Sequence, residues 1–171
     1  MLSKFKADIY AKTAYDIDYN ALYEEGIRGL IFDIDNTLVP HDAPCNDKSD
    51  ALMKKLMDMG FKVFLLSNNK EERVALFTAN IYIDSIHHAD KPKKDNYYRA
   101  FDMMGLDKSQ VAAVGDQLFT DCLGARNVGI KFILVGILDK KEPPRIKLKR
   151  ILEKPIYLLT GGKRYDRSPQ S

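Results

Sequence analysis

Cysteine is scarce in this chain. Cys45 and Cys122 are the only two, too few and too far apart for a disulfide framework or a zinc-ligand spacing. Free thiols suit a reducing compartment. Long apolar runs are missing as well. No stretch approaches the 18 or so residues that span a bilayer, and the opening MLSKFKADIY holds no apolar core of signal-peptide length. No internal repeat is visible, and a net charge of +3 is too small to imply a nucleic-acid partner. What is there suits a single soluble domain, expected in the cytoplasm: 45% hydrophobic and 30% charged residues. A length of 171 residues is enough to bury roughly two-thirds of the unfolded surface.

The charge is unevenly spread. Residues 136–171 carry ten Lys/Arg against four Asp/Glu, leaving seventeen against twenty in residues 1–135. The tail is therefore the place to look for an anionic partner.

Short apolar runs alternate with helical patterns. GLIF (29–32), FKVFLL (61–66), VAAVG (111–115) and IKFILV (130–135) read as strands buried on both faces. Between them, residues 47–59 place Leu52, Leu56 and Met59 on one helical face, with Gly60 as the stop. Helices are also expected over 70–79, from Pro92 to Met104, and over 119–127. This alternation predicts an α/β, doubly wound parallel sheet with right-handed crossovers. Such sheets carry their active sites at the carboxyl ends of the strands.

Asp33, Ser67 and Asp116 each follow directly on an apolar run, so three strands deliver a polar residue to one edge. Asp33 and Asp35 point to the same side of an extended segment. Two close carboxylates resist joint ionisation unless a cation sits between them. Mg²⁺, a hard ion that binds through one or two carboxylates plus a substrate phosphate, would supply that charge. Asp116 and Asp121 add further carboxylates, with Gly115 expected to permit a sharp turn. Ser67, Asn68, Asn69 and Lys91 offer the hydroxyl, amide and ammonium groups that phosphate oxygens accept from. A carboxylate in such company can act as a nucleophile, and a second can serve as acid and base. His41 lies just beyond the pair, within possible reach of a substrate. His87 and His88 lack a matching ligand pair and read as surface or strand-end residues, and Cys122 as a packed one.

Four elements in order, Asp33-Ile34-Asp35-Asn36-Thr37, Leu66-Ser67-Asn68, Lys91-Pro92 and Gly115-Asp116 through Asp121, resemble the haloacid-dehalogenase superfamily of phosphatases. The resemblance covers roughly residues 28–135. It implies that Asp33 is nucleophile and metal ligand. Asp35 would be the acid/base and lend a backbone carbonyl to the metal. Thr37, Ser67, Asn68 and Lys91 would hold phosphate, Asp116 would complete the Mg²⁺ site and Asp121 would orient its shell. Only 33 residues separate Asp33 from Ser67 and 23 separate Ser67 from Lys91, which leaves no room for the inserted caps of larger members. The expected core is capless and its site open.

GLIFDIDNTLVP, ADKP and VGDQLFTDCLGARNVG resemble a narrower branch, that of the YqeG-type bacterial phosphatases and the phosphatidylglycerophosphate phosphatases. That resemblance implies a lipid phosphate monoester, phosphatidylglycerophosphate, as substrate in phospholipid biosynthesis. Residues 145–159, RIKLKRILEKPIYLL, interleave Ile146, Leu148, Ile151 and Leu152 with Lys147, Lys149, Arg150 and Lys154. Such a basic amphipathic segment could lie on anionic lipid, although Pro155 is expected to interrupt any long helix there. The chain divides into an N-terminal extension packing on the core (1–27), the phosphatase core (28–137) and a basic tail (138–171). Other readings are a phosphatase for a nucleic-acid end, nucleotide or sugar phosphate, and a Mg²⁺-binding scaffold without catalysis. A signalling receiver domain is a poorer match, since its phospho-acceptor sits on a different strand from its acidic pair.

Overall fold

The computed structural model describes residues 2–160. Six parallel strands form one sheet in the order β1-β6-β5-β2-β3-β4, where β1 is Ile9–Ala11, β2 Gly29–Phe32, β3 Lys62–Leu66, β4 Asp84–Ile86, β5 Val111–Gly115 and β6 Lys131–Val135. The four central strands lie within a residue of where the apolar runs put them. β1 and β4 are three-residue edge strands with one buried position each, too short to leave a periodic signal.

Both faces of the central strands are buried, which explains their unbroken hydrophobicity. Leu30 and Phe32 of β2, Val63 and Leu65 of β3, Ala112 and Val114 of β5, and Ile133 and Val135 of β6 face one core. The intervening Ile31, Phe64, Leu66, Val111, Ala113, Phe132 and Leu134 face the other. Helices α1 (Tyr19–Glu24), α2 (Asp47–Asp58) and α3 (Glu71–Thr78) cover the first face through Leu22, Leu52, Met53, Leu56, Val74 and Phe77. Helices α4 (Asp95–Met104), α5 (Leu123–Val128) and α6 (Pro144–Thr160) cover the second through Tyr97, Ala100, Phe101, Met104, Ala125, Val128 and Tyr157. Each fully buried Leu or Phe of these cores stabilises the fold by about 1.5–3 kcal/mol.

Local chemistry sets the helix ends. Asn46 accepts from the Ser49 N–H at 3.0 Å while Ser49 Oγ accepts from the Asn46 N–H, a reciprocal cap that starts α2. Gly105, at φ +60°, closes α4 in the left-handed region. Three expectations shift. α4 starts at Asp95 rather than at Pro92, which belongs to the loop bearing Lys91. The helix expected over 119–127 is a wide π-helical turn, Leu118–Cys122, running into α5. The tail is one helix straight through Pro155. The proline forfeits one N–H bond, but Ile151, whose carbonyl loses it, is exposed and open to water. Arg150, Glu153 and Tyr157 anchor the helix on either side. Residues 161–171 of the predicted tail lie outside the described residues.

Between β2 and β3 the chain holds α2 alone, and between β3 and β5 only α3, β4, α4 and a short 3-10 turn at Lys108–Gln110, so the fold is capless. Strand order reverses between β2 and β5: β3 and β4 extend one way, β6 and β1 the other. The crevice beyond the carboxyl ends of β2 and β5 is the topological switch point of the sheet.

Candidate active site

Asp33 and Asp116 leave β2 and β5 side by side at that crevice. The Asp33 N–H donates to Val114 O at 3.0 Å, which extends the ladder one residue beyond β2 and fixes the carboxylate over the switch point. Lys91 Nζ sits 2.7 Å from Asp33 Oδ1 and 2.7 Å from Asp121 Oδ1. Its backbone is clamped by Asn68, whose Oδ1 accepts from the Lys91 N–H at 2.7 Å and whose Nδ2 donates to Lys91 O at 3.0 Å. Asp33, Asp116 and Asp121 bring one carboxylate oxygen each within 4.8 Å of one another, all three buried.

Gly115 makes that grouping possible, for a different reason from the one expected. Its φ is not in the left-handed region. A Cβ at Gly115 would lie 2.6 Å from Asp121 Cβ and Cγ, so the glycine supplies space for the Asp121 carboxylate rather than a turn. The Gln117 N–H donates to Asp121 Oδ2 at 3.1 Å and holds it there.

Three buried carboxylates share few positive charges. Burial, and then the Asp121 and Asp116 charges, push the Asp33 carboxyl up to about 8, against the opposing pull of Lys91. Burial raises Asp116 too, opposed by Arg150. Such a set has the donor chemistry of a hard divalent cation site, since its carboxylate oxygens are hard donors and a further cation would offset the mutual repulsion.

Asp35 faces elsewhere. Its Oδ1 accepts from Arg73 Nε at 3.0 Å and Nη2 at 2.6 Å, its Oδ2 from Asn69 Nδ2 at 2.6 Å, and His41 Nδ1 lies 3.4 Å from Oδ2. It thus stands beside the Asp33 group rather than within it. Thr37 is fully buried behind the crevice and donates to Asp116 Oδ1 at 3.3 Å. Ser67, also fully buried, accepts from the Asn69 N–H at 3.2 Å.

An open cleft of about 200 Å³ lies above these groups. Asp33, Asp35, His41, Asn68, Asn69, Lys91, Gln117 and Thr120 line it, together with Arg145, Ile146 and Lys149 from α6. Thr37 and Ser67 are not on its wall. His87, 3.9 Å from Glu71 and stacked edgewise on His88, does not line it. Cys122 is buried, and burial pushes its thiol up to about 12, which leaves it unreactive.

The tail contributes more than the sequence suggested. Arg150 is buried, not on a solvent-facing basic stripe. It donates to the Asp116 carbonyl at 2.7 Å and to Asp116 Oδ2, and reaches Glu142 Oε1 at 2.8 Å and Glu153 Oε2 at 3.6 Å. Glu153 in turn accepts from the Leu118 N–H at 2.7 Å. Asn36, at φ +61°, donates to Glu142 Oε1 at 2.7 Å and accepts from the Asp139 N–H at 2.9 Å, binding the segment before α6 to the Asp33–Thr37 loop. Arg73, Glu142, Arg150 and Glu153 were not singled out from the sequence as site residues.

The chain matches the family of haloacid dehalogenase-like hydrolases over residues 40–129. It is 38% identical over 158 residues to the protein named probable phosphatase YqeG of Bacillus subtilis, covering 91% of this chain and 92% of that one. The cobalt-bound deoxy-D-mannose-octulosonate 8-phosphate phosphatase of Haemophilus influenzae superposes with a TM-score of 0.53 at 18% identity, over 80% of this chain and 91% of that one. An uncharacterized protein from Listeria monocytogenes gives 0.53 at 20% identity, over 79% and 99%. These two likenesses concern the fold.

Proposed function

Because the chain belongs to the haloacid dehalogenase-like hydrolase family, we propose that it is a Mg²⁺-dependent phosphatase that hydrolyses phosphate monoesters through an aspartyl-phosphate on Asp33. The observation that carries this reading is the buried trio Asp33, Asp116 and Asp121 at the switch point, with Lys91 bridging two of them. Asp33, Asp116 and the backbone of Asp35 would hold the ion, and Asp121 would orient its surroundings. When bound, Mg²⁺ offsets the carboxylate charges and draws electron density from the phosphoryl oxygens.

The chain's own groups do the rest. Lys91 binds Asp33 through Oδ1, so Oδ2 is the oxygen that attacks phosphorus. As the Asp33–phosphorus bond forms, the bond to the leaving oxygen breaks, and that oxygen takes a proton from Asp35. Asp35 then removes a proton from a water that attacks the same phosphorus, releasing inorganic phosphate and restoring the Asp33 carboxylate. To serve both steps Asp35 must exchange its Arg73 partner for the reacting oxygens, which makes Arg73 its resting clamp. Lys91 and the backbone N–H of Asn68 hold phosphoryl oxygens. Ser67, buried off the cleft wall, acts through Asn69, whose N–H donates to its hydroxyl. Thr37 acts through Asp116.

The proposed substrate is a phosphate monoester on a lipid, phosphatidylglycerophosphate. Two features support it. The cleft is open, with no cap to exclude a large substrate. The outer face of α6 carries exposed Leu148, Ile151, Leu152, Leu158 and Leu159 beside Lys147 and Lys154, an apolar stripe with a basic margin suited to an anionic lipid surface. No helix among the described residues is long and apolar enough to cross a membrane, so contact would be peripheral.

Phosphate release from phosphatidylglycerophosphate in mixed micelles with Mg²⁺, compared with soluble sugar and nucleotide phosphates, tests this. Selective release lost in Asp33→Asn is expected. Release from soluble esters alone would retain the chemistry and discard the lipid. Folded, Mg²⁺-loaded protein inert on every ester would leave a metal-binding scaffold.

A further inference from the structure

We propose that Arg145 and Lys149 form a second anion site, which selects phosphate monoesters whose leaving group carries its own negative charge. The inference deepens the phosphatase reading and rests on it for the place of the reacting phosphate.

The argument starts from the charges that line the cleft. Six titratable side chains do so: Asp33, Asp35, His41, Lys91, Arg145 and Lys149. Lys91 is committed to Asp33 and Asp121, each at 2.7 Å. Asp35 is committed to Arg73. Of the three Lys/Arg side chains that line the cleft, Arg145 and Lys149 have no carboxylate within 4.0 Å among the described residues, whereas Lys91 has two. They sit one turn apart on α6, with Ile146 completing that wall, and so face the cleft together.

Their position is rigid for residues at a rim. Arg150, the residue after Lys149, is buried and fastened to Asp116, Glu142 and Glu153. The helix that carries the two free cations is thereby locked to the carboxylate that ends β5. The proposed mechanism holds the transferring phosphoryl group at Asp33 and Lys91, which line the same cleft. A leaving group that extends from there along the cleft to α6 meets two cations and one aliphatic side chain. A neutral polyol would leave both cations unanswered. A carboxylate or a phosphodiester on the leaving group would meet them with charge-assisted hydrogen bonds, and Arg145 adds the planar fork that suits either anion.

Matched phosphonates test this without turnover, because their carbon–phosphorus bond is not cleaved. The Mg²⁺-loaded wild-type protein is titrated calorimetrically with 2-carboxyethylphosphonate and with 3-hydroxypropylphosphonate, and again as the Arg145→Met/Lys149→Met double variant. The carboxylate probe should bind wild type on the order of tenfold more tightly. The double variant should lose that preference while the hydroxyl probe changes by less than about twofold. A monomethyl ester of propane-1,3-bisphosphonate distinguishes sources: tighter binding than the carboxylate probe assigns a phosphodiester headgroup, weaker binding a carboxylated soluble ester. Equal binding of the first two probes by wild type overturns the proposal, as does a preference that survives in the double variant. Equal weakening of both probes also overturns it, because the cations would then grip the transferring group. Phosphate release from ordinary esters by the wild-type protein tests the underlying phosphatase reading separately.

Discussion

At the scale of single residues, the site depends on how one ammonium group distributes its charge. Lys91 is the principal influence holding the Asp33 carboxyl down against burial and two neighbouring carboxylates. In Lys91→Met that opposition vanishes, and the Asp33 carboxyl rises further. Less of the nucleophile is then ionised at neutral pH, so the acid limb of the kcat/KM profile should move to higher pH. Each unit of movement is a tenfold loss of rate at a fixed pH on that limb. A limb that stays in place would show that Lys91 does not control Asp33. Gly115 provides a second test. An alanine there would collide with Asp121, and Mg²⁺ affinity measured by calorimetry should fall about 10–100-fold, as when a partner of a metal site is displaced. Asp33, Ser67 and Asp116 were legible because each interrupts an apolar run at a strand end, a local signal. Arg73 and Arg150 were not. Their partners at the cleft, Asp35 and Asp116, lie 38 and 34 residues away, and a long-range ion pair leaves no mark on neighbouring sequence.

At the scale of elements, α6 is unusual in turning charge inward and aliphatic side chains outward. Arg150 meets three buried carboxylates, those of Asp116, Glu142 and Glu153. Removing it by Arg150→Met strands them, at a cost of about 3–5 kcal/mol, which a lowered urea midpoint would register. An unchanged midpoint would mean that α6 does not rest on this cluster. The same helix offers the opposite test. If it runs through Pro155, then Pro155→Ala restores a backbone hydrogen bond and should stabilise the protein by about 1–3 kcal/mol. The sequence argued for a break there, because local propensity cannot register anchors that lie on other elements. Similarly, the four central strands were readable from their density of Val, Ile, Leu and Phe, whereas β1 and β4 owe their existence to the neighbours they pair with.

At the scale of the whole molecule, the fold holds carboxylates in a place that costs stability unless a cation is present. Asp33 stands at about 8 in the folded protein against 3.8 as an isolated group, and Glu153 at about 7 against 4.5, both raised chiefly by burial. A raised carboxyl binds its proton more tightly when folded. Between about pH 4 and pH 8 the folded state therefore holds more protons than the unfolded one, and stability falls as pH rises. Metal-free protein should show a thermal midpoint that declines across that window. Mg²⁺ should oppose the decline, adding about 2.7 kcal/mol at a hundred times its dissociation constant. A midpoint that rises with pH in metal-free protein would contradict the carboxylate arrangement. The doubly wound sheet and the capless connections were evident from alternating elements and short gaps. The insertion of β5 beside β2, which creates the crevice, was not, because strand order is decided by packing between segments far apart in the chain.

The most direct test of the central claim is chemical. Protein turning over a phosphate monoester with Mg²⁺ is quenched with borohydride, which reduces an acyl phosphate to an alcohol, and the peptide containing residue 33 is analysed by mass spectrometry. The account predicts homoserine at position 33, formed only when substrate and Mg²⁺ are both present. Phosphate release that proceeds with Asp33 unmodified, or that survives in Asp33→Asn, would contradict it.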